Sequence, residues 1–197
     1  MTAIERLERA LAAREVAALE AGRRAAVAAV LRRQGPDRTA VLLIERTRRE
    51  DDPWSGQMAF PGGRVEASDD SPLAAALRET REEVGLDLGR QARLVGVLDD
   101  VRAMAKGRRL DLVIRPFVFE LEDRSATLTL QEEEVASVLW APLEEMASGR
   151  RDGTFPWSLP GSGTANLPCY HVEGKVVWGL TWRMLRSLFD VLGPVEA

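Results

Sequence analysis

Gly62-Gly63-Arg64-Val65-Glu66-Ala67-Ser68-Asp69-Asp70-Ser71-Pro72-Leu73-Ala74-Ala75-Ala76-Leu77-Arg78-Glu79-Thr80-Arg81-Glu82-Glu83-Val84-Gly85-Leu86 is the stretch from which the rest of the chain is best read. Ser71 is an N-cap residue, Pro72 suits the first helical position and Gly85 suits a C-terminal stop, so a helix is predicted over 72–84. At about 100° per residue, with Glu79 at zero, Glu82 falls near about −60° and Glu83 near about +40°. The three carboxylates therefore share one face. Leu73, Leu77 and Val84 gather at about 120–160° and are read as the core-facing stripe, while Ala75 leaves room on the acidic face.

Like charges on one helical face repel. Arg78 and Arg81 flank the cluster, so a solvated Arg/Glu surface is the plain alternative. The context points elsewhere. A Pro-Gly-Gly turn precedes the helix and permits close approach of backbone to a ligand. Oxygen donors from carboxylates and a carbonyl suit Mg²⁺ or Mn²⁺. Such cations would bridge the acids to an anionic substrate and polarise a phosphoryl oxygen, which implies hydrolysis of a phosphate ester or anhydride.

Upstream, apolar residues at helical spacing predict an amphipathic helix over 4–20, ended by Gly22, packed on the body or on a partner subunit of a homodimer. Strands are expected at 25–31 and 39–45, joined by the Gln34-Gly35-Pro36-Asp37 turn, with a charged loop over 48–53. Downstream, strands are expected at 94–98, 110–121, 135–140 and 176–178, with helices at 142–148 and 180–191. Residues 150–168, rich in Gly and Pro, read as a long loop.

The chain has 197 residues, 45% hydrophobic and 29% charged, enough for one ordinary globular domain. Its single cysteine, Cys169, and single histidine, His171, exclude an internal disulfide framework, a Cys/His zinc site and any mechanism that needs several histidines. Cys169 and His171 would share a face of a strand, but nothing around them resembles a thiol-enzyme motif. A net charge of −4 argues against a nucleic-acid binder. No secretory signal or spanning segment is legible, so a cytoplasmic protein with no membrane partner is expected.

The quoted stretch resembles the Nudix box, G-x5-E-x7-R-E-U-x-E-E-x-G-U with U bulky and apolar. Arg78-Glu79, Glu82-Glu83 and Gly85-Leu86 match its second half, and Thr80 stands at the first U position. In the first half Gly63 sits one residue early, and Asp69 or Asp70 replaces the first Glu, an acid that is mostly structural in the family. Leu42-Leu43-Ile44-Glu45-Arg46-Thr47, Gly56-Gln57-Met58-Ala59-Phe60-Pro61-Gly62-Gly63 and Val177-Trp178-Gly179-Leu180-Thr181 resemble segments of the coenzyme A pyrophosphatase subgroup. Glu50 and Asp51 stand where that subgroup has its second basic residue, a departure that bears on substrate.

The resemblance implies an α/β fold, the Nudix-type α/β/α sandwich with a mixed β-sheet, over residues 23–197, with residues 1–22 as part of the same domain. It implies a hydrolase of a diphosphate linkage, acting on coenzyme A or an acyl-CoA, with Mg²⁺ or Mn²⁺ held by Glu79, Glu82, Glu83 and the backbone near Gly62 or Gly63. The general base would be Glu79 or an acid of the downstream group Glu132, Glu133 and Glu134. Arg46 and Arg64 are candidate phosphate contacts, and Arg78 is read as orienting the carboxylates. Trp54, Phe60 and Phe117 are read as core aromatics or, for one of them, a surface on which a base stacks; Phe60 is carried as a substrate contact. Other Nudix substrates, among them ADP-ribose, a dinucleotide or a nucleoside triphosphate, remain open, as does a non-catalytic nucleotide-binding or regulatory module.

Overall fold

A computed structural model describes residues 1–50, 52–105, 107–123, 125–159 and 163–195. Asp51 and the Pro160-Gly161 portion of the expected loop lie outside the described residues. The central strand is β1, Arg23–Arg33, buried along most of its length. Its side chains alternate by pleat: Ala25, Val27, Ala29 and Leu31 enter one core, and Ala26, Ala28 and Val30 enter another. A strand with two apolar faces must be covered on both, and here helices cover both.

β1 pairs in parallel with β7, Arg108–Leu121, and antiparallel with β2, Thr39–Arg46. Short strands β3, Met58–Ala59, and β4, Gly62–Arg64, pair with β2 and β1 respectively. β5, Ala92–Val97, and β6, Val101–Ala105, pair with the two ends of β7, and β8, Val135–Pro142, pairs with β2. This eight-stranded sheet is mixed. Helix α2, Pro72–Val84, and the short α3, Leu88–Gln91, belong to one face. Helices α1, Ala3–Ala12, and α5, Gly179–Leu192, cover the other, with the short α4, Leu143–Ala147, beside them. The result is the expected α/β/α sandwich with a mixed sheet.

Three expectations need correction. First, α1 ends at Ala12 instead of running to residue 20. Ile4, Leu7 and Leu11 are buried in the main core, each contributing roughly 1.5–3 kcal/mol. Beyond them the chain is captured by two aspartates. Arg14 pairs with Asp99, the Ala17 N–H donates to Asp99 and the Leu19 N–H donates to Asp100. These partners replace the helical ladder, so Gly22 leads into β1 and does not stop a helix.

Second, the Gly- and Pro-rich segment is not a loop. Strands β9, Asp152–Leu159, and β10, Gly163–Val172, form a hairpin that pairs onward with β11, Lys175–Trp178, as a separate three-stranded sheet. β9 is an edge strand, where a proline such as Pro156 is tolerated. Phe155 stacks on Trp178 at 4.7 Å and Trp157 packs against the same ring at 6.2 Å, which ties the hairpin to a strand about twenty residues further on.

Third, the buried residues of α2 are Ala75, Ala76, Thr80, Glu83 and Val84, with Leu73 and Leu77 only half-buried. The helix lies against β1 at Ala26 and Ala28, where small side chains allow close approach. The buried Thr80 hydroxyl donates to the Ala76 carbonyl at 2.7 Å, so its polarity is satisfied within the helix. Glu83 is turned toward the sheet by the same rotation.

Candidate active site

Glu83 is 2% exposed, an unusual position for a carboxylate. Its Oε2 accepts the Gly62 N–H at 2.7 Å. Burial pushes its pKa up to about 8, with the nearby Glu79 charge adding to the rise and the Gly62 bond opposing it. Burial also raises the Glu79 pKa, against the pull of Arg78. Carboxylate oxygens of Glu79, Glu83 and Glu134 lie within 4.8 Å of one another. Burial and mutual repulsion disfavour the charged forms of Glu79 and Glu83, and hard oxygen donors so close together fit a divalent cation that would balance them. Glu134 reaches the group from the turn before β8, whose Glu134 carbonyl accepts the Thr47 N–H at 2.9 Å.

Two glycines make the cluster possible. Gly62 has φ +141°, and an added Cβ would run into the Ala26 carbonyl and the Val27 backbone. At Gly63 an added Cβ would overlap the Glu79 carboxyl group. The Pro-Gly-Gly turn thus brings main chain against two of the three acids.

Arg78 organises the helix's outer acids. It holds Asp69 through Nε and Nη2 at 3.0 Å each, Glu79 and Glu82 at 3.0 Å each, and the Arg64 carbonyl at 3.2 Å. Its guanidinium holds the Asp69 carboxyl below the usual range, and its own pKa is raised in turn. Of the two aspartates considered for the first acidic position, Asp69 is the one that meets Arg78. Glu82 is exposed and lies outside the three-acid cluster.

Glu79 and Glu134 open into a cavity of about 960 Å³. Arg46, Phe60, Gly63, Arg64, Glu79 and Glu134 all line it. Arg46 is pinned by Asp52 at 2.7–2.9 Å, Arg64 is exposed, and Phe60 is 1% exposed with its ring in the main core. Glu132 and Glu133 are exposed, and their carbonyls accept bonds from Thr47 and Arg49 instead of their carboxylates joining the cluster. Trp54 lines the cavity; Phe117 belongs to the opposite core.

Sequence reasoning missed the far wall: Leu112 and Ile114 from β7 and Leu180 and Met184 from α5. Nothing local marks these as cavity residues, because each reads as ordinary core. The Thr181 hydroxyl, donating to the Met58 carbonyl at 2.8 Å, fastens α5 to β3 and sets that wall. Cys169 and His171 do face each other, Sγ to Nε2 at 3.6 Å, but Cys169 is 1% exposed and burial raises its thiol pKa. A protonated buried thiol is not a nucleophile.

A family model described as NUDIX domain matches residues 22–158. An uncharacterized protein of Schizosaccharomyces pombe is 45% identical over 192 residues, covering 80% of this chain and 57% of the yeast protein, so the chain spans little more than half of that relative. An uncharacterized Nudix hydrolase, NudL, of Citrobacter koseri is 36% identical over 165 residues, 83% of this chain and 79% of its own. Among solved structures, a MutT/nudix family protein from Enterococcus faecalis superposes with a TM-score of 0.55 at 18% identity, over 91% of this chain and 71% of that one. The chain belongs to the Nudix family. Membership makes it a pyrophosphohydrolase of the class that generally uses divalent metal ions. Among the described residues no helix is long and apolar enough to cross a membrane.

Proposed function

We propose that the chain hydrolyses the diphosphate bridge of coenzyme A or an acyl-CoA, releasing 3′,5′-ADP and 4′-phosphopantetheine or its acyl form. The observation that carries this reading is the mixed lining of the cavity. Glu79, Glu134, Arg46 and Arg64 line it together with Met58, Phe60, Leu112, Ile114 and Met184. A diphosphate with a long, weakly polar arm matches both kinds of lining, whereas a nucleoside triphosphate has no arm for the apolar residues.

Glu79 and Glu83, with the backbone at Gly63, would hold Mg²⁺ or Mn²⁺, and Glu82 would join them as the outermost acid. The bound cation would supply charge neutralisation for the diphosphate and acidify water. Arg46, held rigid by Asp52, and the exposed Arg64 would bind phosphate oxygens. Glu134, on a turn and exposed, would take the proton from the attacking water onto a carboxylate oxygen. Oxygen adds to one phosphorus, the bridging P–O bond breaks and the second phosphate leaves. Phe60 would shape the cavity from within the core and would touch the arm by its edge. A small nucleotide is the partner this reading requires, and a cytoplasmic supply of coenzyme A would place the protein there.

The test is incubation with Mg²⁺ or Mn²⁺ and a panel of coenzyme A, an acyl-CoA, ADP-ribose, diadenosine polyphosphates and nucleoside triphosphates, with products identified by mass. Formation of 3′,5′-ADP is expected. Brisk cleavage of another substrate beside intact coenzyme A would overturn the reading, and inertness across the panel with tight binding would favour a regulatory module. Glu134→Gln is expected to lower turnover about 10²–10⁴-fold if that residue is the base.

A further inference from the structure

A second hollow, about 320 Å³, lies beside the active-site cavity, lined by Leu19, Asp100, Arg102, Met104, Arg109 and Arg183. Its chemistry is opposite to that of the carboxylate cluster. Three guanidinium groups converge there from β6, β7 and α5. The one acid, Asp100, is already satisfied: Arg115 donates to both its oxygens at 2.7 and 2.9 Å, and the Leu19 N–H donates at 2.9 Å. Its charge is therefore matched from behind, and the hollow is left net positive.

Two of the arginines are held in place by backbone acceptors. Arg102 donates to the Glu20 carbonyl at 2.6 Å, with Asp111 3.9 Å away, and Arg183 donates to the Arg102 carbonyl at 3.1 Å. Each guanidinium carries five donors in a planar fork, so donors remain for a ligand. Arg109 and Arg183 are exposed, and among the described residues no ion pair with an acid is recorded for either. A solvated charged face spreads its cations over a convex surface; these line a concavity, the arrangement that suits a multidentate oxyanion.

The hollow and the cavity are linked through neighbouring residues. Trp54 lines the cavity, and its indole N–H donates to the Met104 carbonyl at 3.2 Å, while Met104 lines the hollow. Arg183 adjoins Met184, which lines the cavity.

We propose that this hollow is a phosphate subsite, and that its occupant is a phosphate monoester of the substrate itself, remote from the diphosphate that is cleaved. The assignment of source rests on the coenzyme A reading, since coenzyme A carries such a group on its ribose and dephospho-coenzyme A does not. Arg109 and Arg183 are the specificity-determining residues, with Arg102 beside them held by the Glu20 carbonyl.

The experiment compares KM and kcat for coenzyme A and dephospho-coenzyme A in the wild type, Arg109→Gln and Arg183→Gln. The wild type is expected to favour coenzyme A in KM, and each variant to erode that preference by about 10-fold with kcat for coenzyme A nearly unchanged, the loss expected for a charge-assisted bond. A KM ratio that stays the same in both variants overturns the substrate assignment. Inorganic phosphate titrated calorimetrically into the metal-free protein separates the two sources. Phosphate binding weakened about 10-fold by Arg109→Gln, with an unchanged KM ratio, supports a subsite for a separate phosphorylated ligand. Equal phosphate binding in wild type and variants overturns the subsite altogether. If neither coenzyme is cleaved, the substrate reading has failed, and the titration alone decides the hollow. Thermal melts of both variants matching wild type would exclude unfolding as the cause.

Discussion

Glu79, Glu83 and Glu134 crowd their oxygens within 4.8 Å of one another beside the cavity, whereas Met58, Leu112, Ile114 and Met184, which also line it, lie buried in the main core. The acid cluster costs stability in the metal-free protein, since Glu83 is buried and its charged form is disfavoured. The apolar lining contributes stability by the same burial that shapes it. The first joins the Pro-Gly-Gly turn and the helix after it to Glu134 from the turn before β8. The second needs β3, β7 and α5 together. Two of the three acids thus sit on one rigid local element, whereas the third acid and the apolar lining depend on how distant elements pack.

The largest expected effect tests the acid cluster. Glu83→Gln should lower turnover by about 10²–10⁴-fold at saturating metal, since it removes a charged oxygen from the cluster while Gln can still accept the Gly62 N–H. Normal turnover in this variant would remove the cluster from the reaction. The same substitution should act oppositely on stability. The folded-state pKa of Glu83, about 8, exceeds the ordinary 4.5, so the folded protein holds that proton more tightly than the unfolded chain. This contribution is complete below about pH 4.5 and is lost as pH rises toward 8. Denaturant titrations in chelator should therefore show metal-free stability falling across that window, by on the order of a few kcal/mol, with the slope reduced in Glu83→Gln. A metal-free protein whose stability is flat from pH 5 to 8 would contradict the burial argument.

Next in size is the apolar wall. Met184, 3% exposed, should cost about 2–5 kcal/mol on truncation to Ala and should raise KM for a long-armed substrate more than it lowers kcat. A fall in kcat alone would mean that the wall serves the chemistry and not the arm. The smallest effect sharpens the contrast within the acidic turn. Glu133→Gln, whose carboxylate stands outside the cluster, should leave stability within about 0.5 kcal/mol and turnover near wild type, unlike Glu134→Gln one residue on. Equal losses in the two variants would show that the turn acts as a whole.

The helix α2 was legible to the residue: Ser71, Pro72 and Gly85 are start and stop signals that act within a single turn of chain, and the observed bounds coincide with them. Which face of that helix is buried was not legible. Leucine spacing favoured Leu73 and Leu77, but the shallow surface of Ala26 and Ala28 on β1 turned Ala76, Thr80 and Glu83 inward. The hairpin β9–β10 was read as a loop because Gly and Pro punctuate it, and the aromatic stacking that steadies it depends on Trp178. The helix at the N-terminus was read too long because its continuation is amphipathic, while Asp99 and Asp100 supply hydrogen bonds that no local pattern announces.

By itself, then, the chain's sequence determined its family, the helix α2 and most of the strands of the main sheet, and it singled out the acids of the box, because caps, pleat periodicity and the box motif are relations between near neighbours. Only the tertiary structure decided that Glu134 and not Glu133 meets Glu79 and Glu83, that Asp69 and not Asp70 meets Arg78, and that β7 and α5 close the cavity. Those outcomes turn on ångström-scale placement between segments far apart in the chain, which packing sets and spacing along the sequence does not.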